Sequence, residues 1–203
     1  MVKSPLVLAS QSPRRKEILL QLGVNFKQIA VDVEEIPLPH ESPAAYVCRL
    51  AEAKARAGYA CQNTAGAVVL GADTVVVCDE QILEKPESEA HAKSMWRRLS
   101  GRSHEVLTSV CMFNGQVAEL ELSVTQVQFT LLTDHMIDNY WLTGEGLDKA
   151  GGYAIQGMGA AFVKAISGSY SGVVGLPIEK LIPLFDQFDI AYWCQPVKNR
   201  ALD

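Results

Sequence analysis

The run VVLGADTVVV at residues 68–77 restricts the fold more than any other part of the chain. A continuous apolar, β-branched segment of this length predicts a strand that is buried on both faces. Its one carboxylate, Asp73, needs a partner, because an ionised aspartate is costly to remove from water. Two interpretations stay open: Asp73 caps a turn or pairs with a structural arginine, or the strand opens onto a cleft. Gly71 slightly favours the cleft, since a glycine inside a strand often marks a bulge or a close approach by ligand or backbone.

Composition limits the class of protein. A chain of 203 residues, 48% hydrophobic, can bury one sizeable core, so we expect a single domain over residues 1–194 and a polar tail over residues 195–203. The net charge of -5 gives no sign of a nucleic-acid or membrane-binding surface. No apolar run suggests a membrane span or signal peptide, so the expected location is the cytoplasm. The five scattered cysteines are typical of reduced thiols, and the four histidines form no zinc pattern.

The N-terminal segment combines several features of an anion site. A short apolar strand at residues 5–9 leads to Ser10 and Ser12, and Ser12 with Pro13 predicts the start of a helix. Helix N-termini attract anions, and Arg14 and Arg15 add charge that suits phosphate. A plain capped helix with solvated arginines is the alternative; the combination favours phosphate binding.

Three carboxylates, Asp32, Glu34 and Glu35, follow the second predicted strand at about residues 26–31. Such a cluster is either a solvated charge run or a site for a hard divalent cation, and position alone does not decide between them.

Two lysines are further candidates. A helix predicted from Ser42 to about Cys61 carries Lys54 on its buried stripe, where the ammonium either snorkels to solvent or extends into a cleft. Lys85 follows the central strand and lies in a loop.

The remaining pattern completes a mixed sheet with flanking helices. Asn114-Gly115 predicts a two-residue hairpin turn, and lost alternation predicts a bulge near Thr125-Gln126. The other predicted elements are a helix capped by Ser88 and ending near Leu99, strands at 104–113 and 117–129, a helix from Thr133 to about Leu142, a strand at 161–166 and a last helix after Pro177 that Pro183 should kink.

Residues 144–175 contain nine of the fifteen glycines. Glycine disfavours long regular structure and lets backbone approach a ligand closely, so one interpretation is a set of ligand-binding loops. The alternative is a flexible surface loop. The low charge of the segment and its embedded Tyr153, Ile155 and Tyr170 argue against a purely flexible loop.

Several motifs together resemble the Maf family of nucleotide pyrophosphatases, and most closely the branch that acts on dTTP and UTP. They occur in the family's order and cover about residues 4–189: SxSPRR at 10–15, GADT at 71–74, EKP at 84–86, LSG at 99–101, DKAGxYxIQG at 148–157 and VGLP at 174–177. The family usually has Ala-Tyr-Gly where this chain has Gly152-Tyr153-Ala154, an exchange that could alter the path of the loop.

The resemblance implies an α/β (α+β) fold with a mixed twisted sheet and two lobes around a central cleft. It also implies a homodimer, a divalent metal, Mg²⁺ or Mn²⁺, and hydrolysis of a nucleoside triphosphate to the monophosphate and pyrophosphate. In this sequence Asp73 resembles the proton acceptor. The residues that resemble the family's phosphate and metal ligands are Ser10, Arg14, Glu34, Lys54 and Lys85, and those that resemble its base-selecting positions are Arg14, Thr74 and Gln156.

The charged residues of this sequence are suited to hydrolysis of a nucleoside triphosphate. A triphosphate carries about four negative charges, so catalysis depends on positioning and charge stabilisation, which Arg14, Arg15, Lys54 and Lys85 can supply. Asp73 alone is a weak base, but a metal can lower the pKa of bound water to about 7. Whether Asp73 accepts the proton, ligates the metal or does both stays open.

As the metal ligand beside Asp73, Glu34 is preferred and Glu35 is the alternative.

Two alternative functions are a non-catalytic nucleotide-binding regulator of cell division and a house-cleaning pyrophosphatase for modified purine nucleotides.

Overall fold

Strands and helices alternate through the first half of the molecule, and the second half is richer in antiparallel strands. The structure, a computed structural model, describes residues 3–194. Within this range the strands are β1 (Leu6–Ala9), β2 (Phe26–Ile29), β3 (Val68–Cys78), β4 (Gln81–Leu83), β5 (Ser103–Phe113), β6 (Ala118–Phe129) and β7 (Val163–Ser167). The helices are α1 (Pro13–Gln21), α2 (Pro43–Cys61), α3 (Glu89–Leu99), α4 (Asp134–Leu142), α5 (Tyr170–Val174) and α6 (Ile178–Gln187), with short 3-10 turns at Ala150–Gly152 and Met158–Phe162.

Helix starts follow local chemistry. Side-chain oxygens of Ser12, Ser42, Ser88 and Thr133 accept a hydrogen bond from the backbone N–H three residues later, as N-cap residues do. These four predicted starts are therefore confirmed. Pro183 lies inside α6, as predicted.

The sheet is mixed, as predicted, and β3 lies in its middle. The strand order is β2-β1-β3-β5-β6-β7, with β1, β2 and β3 mutually parallel and the β3, β5, β6 and β7 neighbours antiparallel. On one side, β3 pairs with β5 along residues 69–77. On its other side β3 pairs first with β1, at residues 68–70, and then with β4, at residues 76–78. The sheet thus divides at residues 71–75, and Asp73 lies in the middle of this gap.

Packing explains Gly71. A Cβ atom there would lie 2.2 Å from the carbonyl oxygen of Ala51 and 2.4 Å from the backbone nitrogen of Ala55, both in α2. The glycine therefore lets helix α2 pack against β3, and the close approach is one of backbone, not of ligand. This contact also brings Lys54 of α2 beside the gap in the sheet.

Two local predictions differ from the structure. The hairpin between β5 and β6 exists, but Asn114 and Val117 are hydrogen bonded across it, so Gly115 and Gln116 are its central residues. The side chain of Asn114 accepts from the backbone of Gln116 and Val117, which favours the later turn. The predicted bulge at Thr125-Gln126 is wrong: pairing with β5 is continuous, and the irregularity lies at Gln128/Phe129, on the β7 side.

Glycine-rich residues 144–175 are more ordered than the loop interpretation implies. They form the two 3-10 turns, β7 and α5. The predicted strand at 161–166 begins later, at Val163, because residues 158–162 turn first. The predicted polar tail lies outside the described residues, and the domain limits stay a prediction. No helix in residues 3–194 is long and apolar enough to cross a membrane.

Candidate active site

A cleft of about 880 Å³ opens at the gap in the sheet. Its walls come from the start of α1, the middle of β3, the loop after β4, the glycine-rich segment and the end of α5. The cleft brings together all the predicted phosphate, catalytic and base residues: Ser10, Arg14, Arg15, Lys54, Asp73, Thr74, Lys85 and Gln156.

Asp73 is buried, and its partner is a lysine. The Lys54 Nζ atom lies 2.7 Å from Asp73 Oδ1 and 2.6 Å from Glu35 Oε1, so one ammonium joins two carboxylates. The Lys54 side chain is only 12% exposed and reaches the cleft instead of solvent. Among residues 3–194, no hydrogen-bond donor contacts the second oxygen of Asp73, Oδ2. The interpretation of Asp73 as the partner of a structural arginine is therefore replaced by a cleft carboxylate held by a lysine.

Burial and charge act in opposite directions on these two carboxyl groups. Burial raises the pKa of Asp73 above its usual value, although Lys54 and Arg15 partly offset this effect. Burial would also raise the pKa of the more exposed Glu35, but the hydrogen bond and charge of Lys54 outweigh it and lower that pKa. Asp73 is thus the better proton acceptor of the two, because its conjugate acid is the weaker acid.

Arg15 is fixed by neutral oxygens. Its Nε donates to the Gly175 carbonyl at 3.0 Å, Nη1 to Ser10 Oγ at 3.1 Å and Nη2 to Thr74 Oγ1 at 3.1 Å. In the described part of the chain no carboxylate lies within 4.0 Å of this guanidinium. Burial lowers the pKa of Arg15, and the charge of Asp73 opposes this shift. A guanidinium held without an adjacent counter-ion supplies an oriented positive charge to the cleft.

A chain of hydroxyl groups supports Arg15 from behind. Thr108 Oγ1 lies 3.0 Å from Thr74 Oγ1 and 2.8 Å from the Gly172 carbonyl. If Thr108 donates to the carbonyl, Thr74 donates to Thr108 and accepts from Arg15, and each hydroxyl proton has an acceptor. Thr74 therefore holds the arginine, in addition to lining the cleft.

Arg14 and Lys85 line the cleft from different elements and add positive charge. Arg14 belongs to the first turn of α1, and Lys85 lies in the loop after β4. Within residues 3–194 neither has a carboxylate partner within 4.0 Å. Two cations without counter-ions beside a helix N-terminus are suited to a polyanion.

The acidic cluster is divided by the structure. Glu35 lines the cleft and contacts Lys54, whereas Glu34 is exposed and is absent from the cleft wall. Tyr46, which sequence reasoning missed, is buried in α2 and donates from its hydroxyl to the Glu35 carbonyl at 2.9 Å. Burial, together with the negative charge of Asp73, raises the pKa of Tyr46 to about 12, so its hydroxyl stays protonated and able to donate.

The glycine-rich segment lines a further part of the cleft. Gln156 is exposed there, and no protein group among the described residues hydrogen bonds its amide. Lys149, a second residue that sequence reasoning missed, lines the same part, and its Nζ atom lies 2.6 Å from Asp148 Oδ1. Its position in the DKAG motif could have identified Lys149 as a candidate from the sequence.

The backbone conformation of the loop explains why position 152 is a glycine in this chain. Gly152 has a left-handed φ of 71°, and a Cβ there would lie 3.0 Å from Trp96 Nε1. That indole nitrogen donates to the Gly152 carbonyl at 3.1 Å. Alanine at this position would be strained, so glycine suits this path of the loop.

The donor set for a metal is small. No group of three or more His, Cys, Asp or Glu side chains in residues 3–194 could hold an ion. Asp73 and Glu35 nevertheless place two carboxylates on one cleft wall, joined through Lys54. Mg²⁺ commonly uses one or two carboxylates with water and substrate phosphate, so these residues fit such an ion but not a cage made by the protein alone.

Known proteins resemble this chain over most of its length. A protein from Pseudoalteromonas atlantica named dTTP/UTP pyrophosphatase is 49% identical over 191 residues, which cover 93% of this chain and 100% of the relative. Proteins of the same name from Escherichia coli O157:H7 and Vibrio vulnificus YJ016 are 49% and 48% identical, over 91% and 90% of this chain and 93% and 98% of their own lengths. The family model described as Maf-like protein matches residues 5–188. The chain belongs to the Maf family.

Proposed function

We propose that this protein is a nucleoside triphosphate pyrophosphatase that hydrolyses dTTP and UTP to the monophosphate and pyrophosphate. The main support for this proposal is the buried Asp73, which is paired with Lys54 in a cleft where Arg14 and Lys85 have no counter-ion among the described residues. A phosphate chain would supply the missing negative charge. The names of the relatives support the choice of dTTP and UTP.

The proposed roles divide between binding of the phosphate chain and recognition of the base. Ser10, Arg14, Arg15, Lys54 and Lys85 bind the phosphate chain. Arg15 donates through a guanidinium that Gly175 and Thr74 already orient, which lowers the entropy lost on binding. Gln156, with Thr74 and Arg14, contributes to base preference.

Asp73 accepts the proton of the attacking water in this proposal. Its raised pKa makes it a better base than an ordinary aspartate, while the charge of Lys54 limits that rise. Lys54 also restrains the carboxylate, which leaves Oδ2 as the oxygen available for the proton.

A divalent cation, Mg²⁺ or Mn²⁺, would be held by Asp73 and Glu35 together with the substrate. Such an ion, when bound, neutralises phosphate charge and lowers the pKa of coordinated water. Lys54, which contacts both carboxylates, would keep them side by side for the ion, and Tyr46 keeps the Glu35 backbone in the cleft wall. Glu34 stays a candidate ligand, and a matched pair of variants below separates it from Glu35.

A product assay tests the function. Purified protein is incubated with each common ribo- and deoxyribonucleoside triphosphate in Mg²⁺, Mn²⁺ or EDTA. We expect dTTP and UTP to give monophosphate and pyrophosphate, and little reaction in EDTA. Release of orthophosphate with a nucleoside diphosphate would contradict the proposal, because a different bond would have been cut.

The same assay separates the alternative functions. Binding of dTTP or UTP without turnover in either metal would favour a nucleotide-binding regulator. A strong preference for inosine or xanthosine triphosphate would favour house-cleaning of modified purine nucleotides. In both cases the proposed pyrimidine activity would be wrong.

We also propose that the enzyme acts in the cytoplasm, where nucleoside triphosphates are made, and that it is a homodimer. Beyond the β7 pairing at Gln126–Phe129, the edge of β6 has no neighbouring strand among the described residues, and Leu120 and Val124 are exposed near it. An open apolar strand edge is suited to pairing with another copy. Sedimentation should give a dimer, and a monomer at all concentrations would contradict this proposal.

A further inference from the structure

Gln156 lies in a tight turn whose two ends are held by one pair of side chains. The Gly157 backbone nitrogen donates to the Ala154 carbonyl at 3.2 Å, so residues 154–157 form the turn. The Ala154 backbone nitrogen donates to the Tyr140 hydroxyl at 3.1 Å. On the other side of the turn, the carboxylate of Glu145 accepts from the backbone nitrogens of Met158 and Gly159, both at 2.9 Å.

The two holding residues are themselves joined. Tyr140 donates from its hydroxyl to Glu145 Oε2 at 2.8 Å. Hence one carboxylate accepts three hydrogen bonds, and it connects both ends of the turn through Tyr140. Burial would raise the pKa of Glu145, but these donors lower it, so the group is ionised and its hydrogen bonds are charge-assisted.

The turn passes directly against this carboxylate. A Cβ atom on Gly157 would lie 1.9 Å from Glu145 Oε1, which leaves no room for a side chain. Glu145 also reaches the second polar residue in this part of the cleft, since its backbone carbonyl accepts from Lys149 Nζ at 2.5 Å. Glu145 itself does not line the cleft. It contacts the residues that do.

We infer that Glu145 and Tyr140 are positioning residues for base recognition: they fix the turn that carries Gln156 so that its amide meets the base at a constant place. This inference deepens the proposed function and rests on it. The amide of Gln156 has no protein partner in the described chain, so its position depends on the backbone alone. A turn that moves loses two simultaneous hydrogen bonds to a pyrimidine edge, while the phosphate contacts elsewhere in the cleft are kept.

Glu145→Gln tests the carboxylate. A glutamine side chain has similar size, but its amide nitrogen cannot accept the hydrogen bonds that one carboxylate oxygen accepts. We expect KM for UTP to rise about fivefold with kcat nearly unchanged, and the ratio of kcat/KM for UTP to that for CTP to fall by a similar factor. Hydrogen exchange at the amides of Met158 and Gly159 should become faster.

Tyr140→Phe tests the same pair without altering the carboxylate. The ring keeps its edge contacts with Trp96 and Phe162, whose centroids lie 5.0 and 4.7 Å away, and only the hydroxyl is removed. We expect a smaller fall in the UTP:CTP ratio, about twofold to fivefold, and faster exchange at Ala154. The control is Glu121→Gln, which changes a glutamate paired with Lys180 outside the cleft and should alter neither ratio nor exchange.

Calorimetric binding of UMP and CMP keeps this test separate from the proposed reaction. If the wild type binds UMP but hydrolyses nothing, the function is wrong and the UMP:CMP affinity ratio still tests the positioning role. If Tyr140→Phe folds and exchanges faster at Ala154 while both ratios stay at wild-type values, the inference is overturned. It is also overturned if every substrate loses kcat by the same factor, because the pair would then support the fold only.

Discussion

Two parts of the cleft wall, called here the phosphate end and the base end after their proposed roles, are built differently. At the phosphate end, most charged side chains project from regular elements: Arg14 and Arg15 from α1, Lys54 from α2 and Asp73 from β3. Lys85, in the loop after β4, is the exception. At the base end, Gln156 projects from a turn in a glycine-rich segment, and its support consists of hydrogen bonds to the backbone.

This contrast separates two requirements of one reaction. Positioning of phosphate and water needs charges at constant places, and helices and strands provide them because their backbones are fixed by many hydrogen bonds and buried contacts. Recognition of a flat base needs close approach of backbone and a few polar groups, for which glycine-rich turns are suited. Variants of Asp73 and Lys54 should therefore lower turnover of every substrate, and variants of Gln156 and its supporting residues should alter selectivity.

The largest effect is expected from Asp73→Asn. The amide keeps the shape and can still accept a hydrogen bond from Lys54, but it is a very poor proton acceptor. Turnover of dTTP and UTP should fall about 10²- to 10⁴-fold, with equal loss for minor substrates. Turnover and melting temperature are measured together, with Asp138→Asn, an exposed partner of Lys93, as control. Activity within a fewfold of wild type would remove Asp73 from the mechanism.

Glu35→Gln and Glu34→Gln form a matched pair. Glu35 lines the cleft beside Lys54, and Glu34 does not line it. The Mg²⁺ concentration for half-maximal activity should rise about 10- to 100-fold in Glu35→Gln and stay near the wild-type value in Glu34→Gln. The reverse result would establish Glu34 as the metal ligand and mean that the loop moves on substrate binding.

Lys54→Met should change the pH dependence of catalysis. Lys54 lowers the pKa of Asp73 from the value that burial alone would give, so its removal raises that pKa. Because the proton acceptor must be ionised, activity is lost as pH falls through this pKa, and the acidic limb of kcat/KM should move to higher pH. A shift of about one unit means about tenfold less activity at a pH on that limb.

The control for this experiment is Lys180→Met, whose partner Glu121 lies outside the cleft. If Lys54→Met lowers activity equally at every pH, Lys54 binds phosphate without tuning Asp73.

Among changes to residues that line the cleft, the smallest effect is expected from Gln156→Leu. The residue is exposed and no protein group holds its amide, so its hydrogen bonds to the base should be weak ones. We expect kcat/KM for UTP and dTTP to fall about five- to tenfold, at the low end of the usual cost of losing a hydrogen-bonded pair. CTP and GTP should change less. If all four substrates fall by one factor, the base end would be affecting phosphate positioning, and the contrast between the two ends would be wrong.

Much of the phosphate end could be predicted because its residues belong to regular elements. Helical periodicity placed Lys54 on a buried face, and a strand with one carboxylate marked Asp73. Ser12 and Pro13 predicted the helix start that orients Arg14 and Arg15. These inferences succeeded because periodicity and capping are properties of a few neighbouring residues.

Loops and contacts between distant elements were less predictable. Residues 30–42 have no periodicity, and the sequence-based preference for Glu34 as metal ligand chose the carboxylate that does not line the cleft, whereas Glu35 does. Contacts from α2 hold this segment: Tyr46 donates to the Glu35 carbonyl and Arg49 to the Ile36 carbonyl. Gly71 favoured a functional interpretation from sequence, but it is explained by helix packing.

By itself, the sequence determined the strand with its single carboxylate, the capped helices, the cations and the family, because each depends on local pattern or on motif order. Only the tertiary structure decided that β3 pairs with β1 and then with β4, and so leaves Asp73 in a gap. Strand pairing joins residues far apart in the chain, and its outcome depends on how all the elements pack together. The same packing decided that Lys54 joins Asp73 to Glu35, since an ion pair forms only where the folded backbones bring its charges within contact.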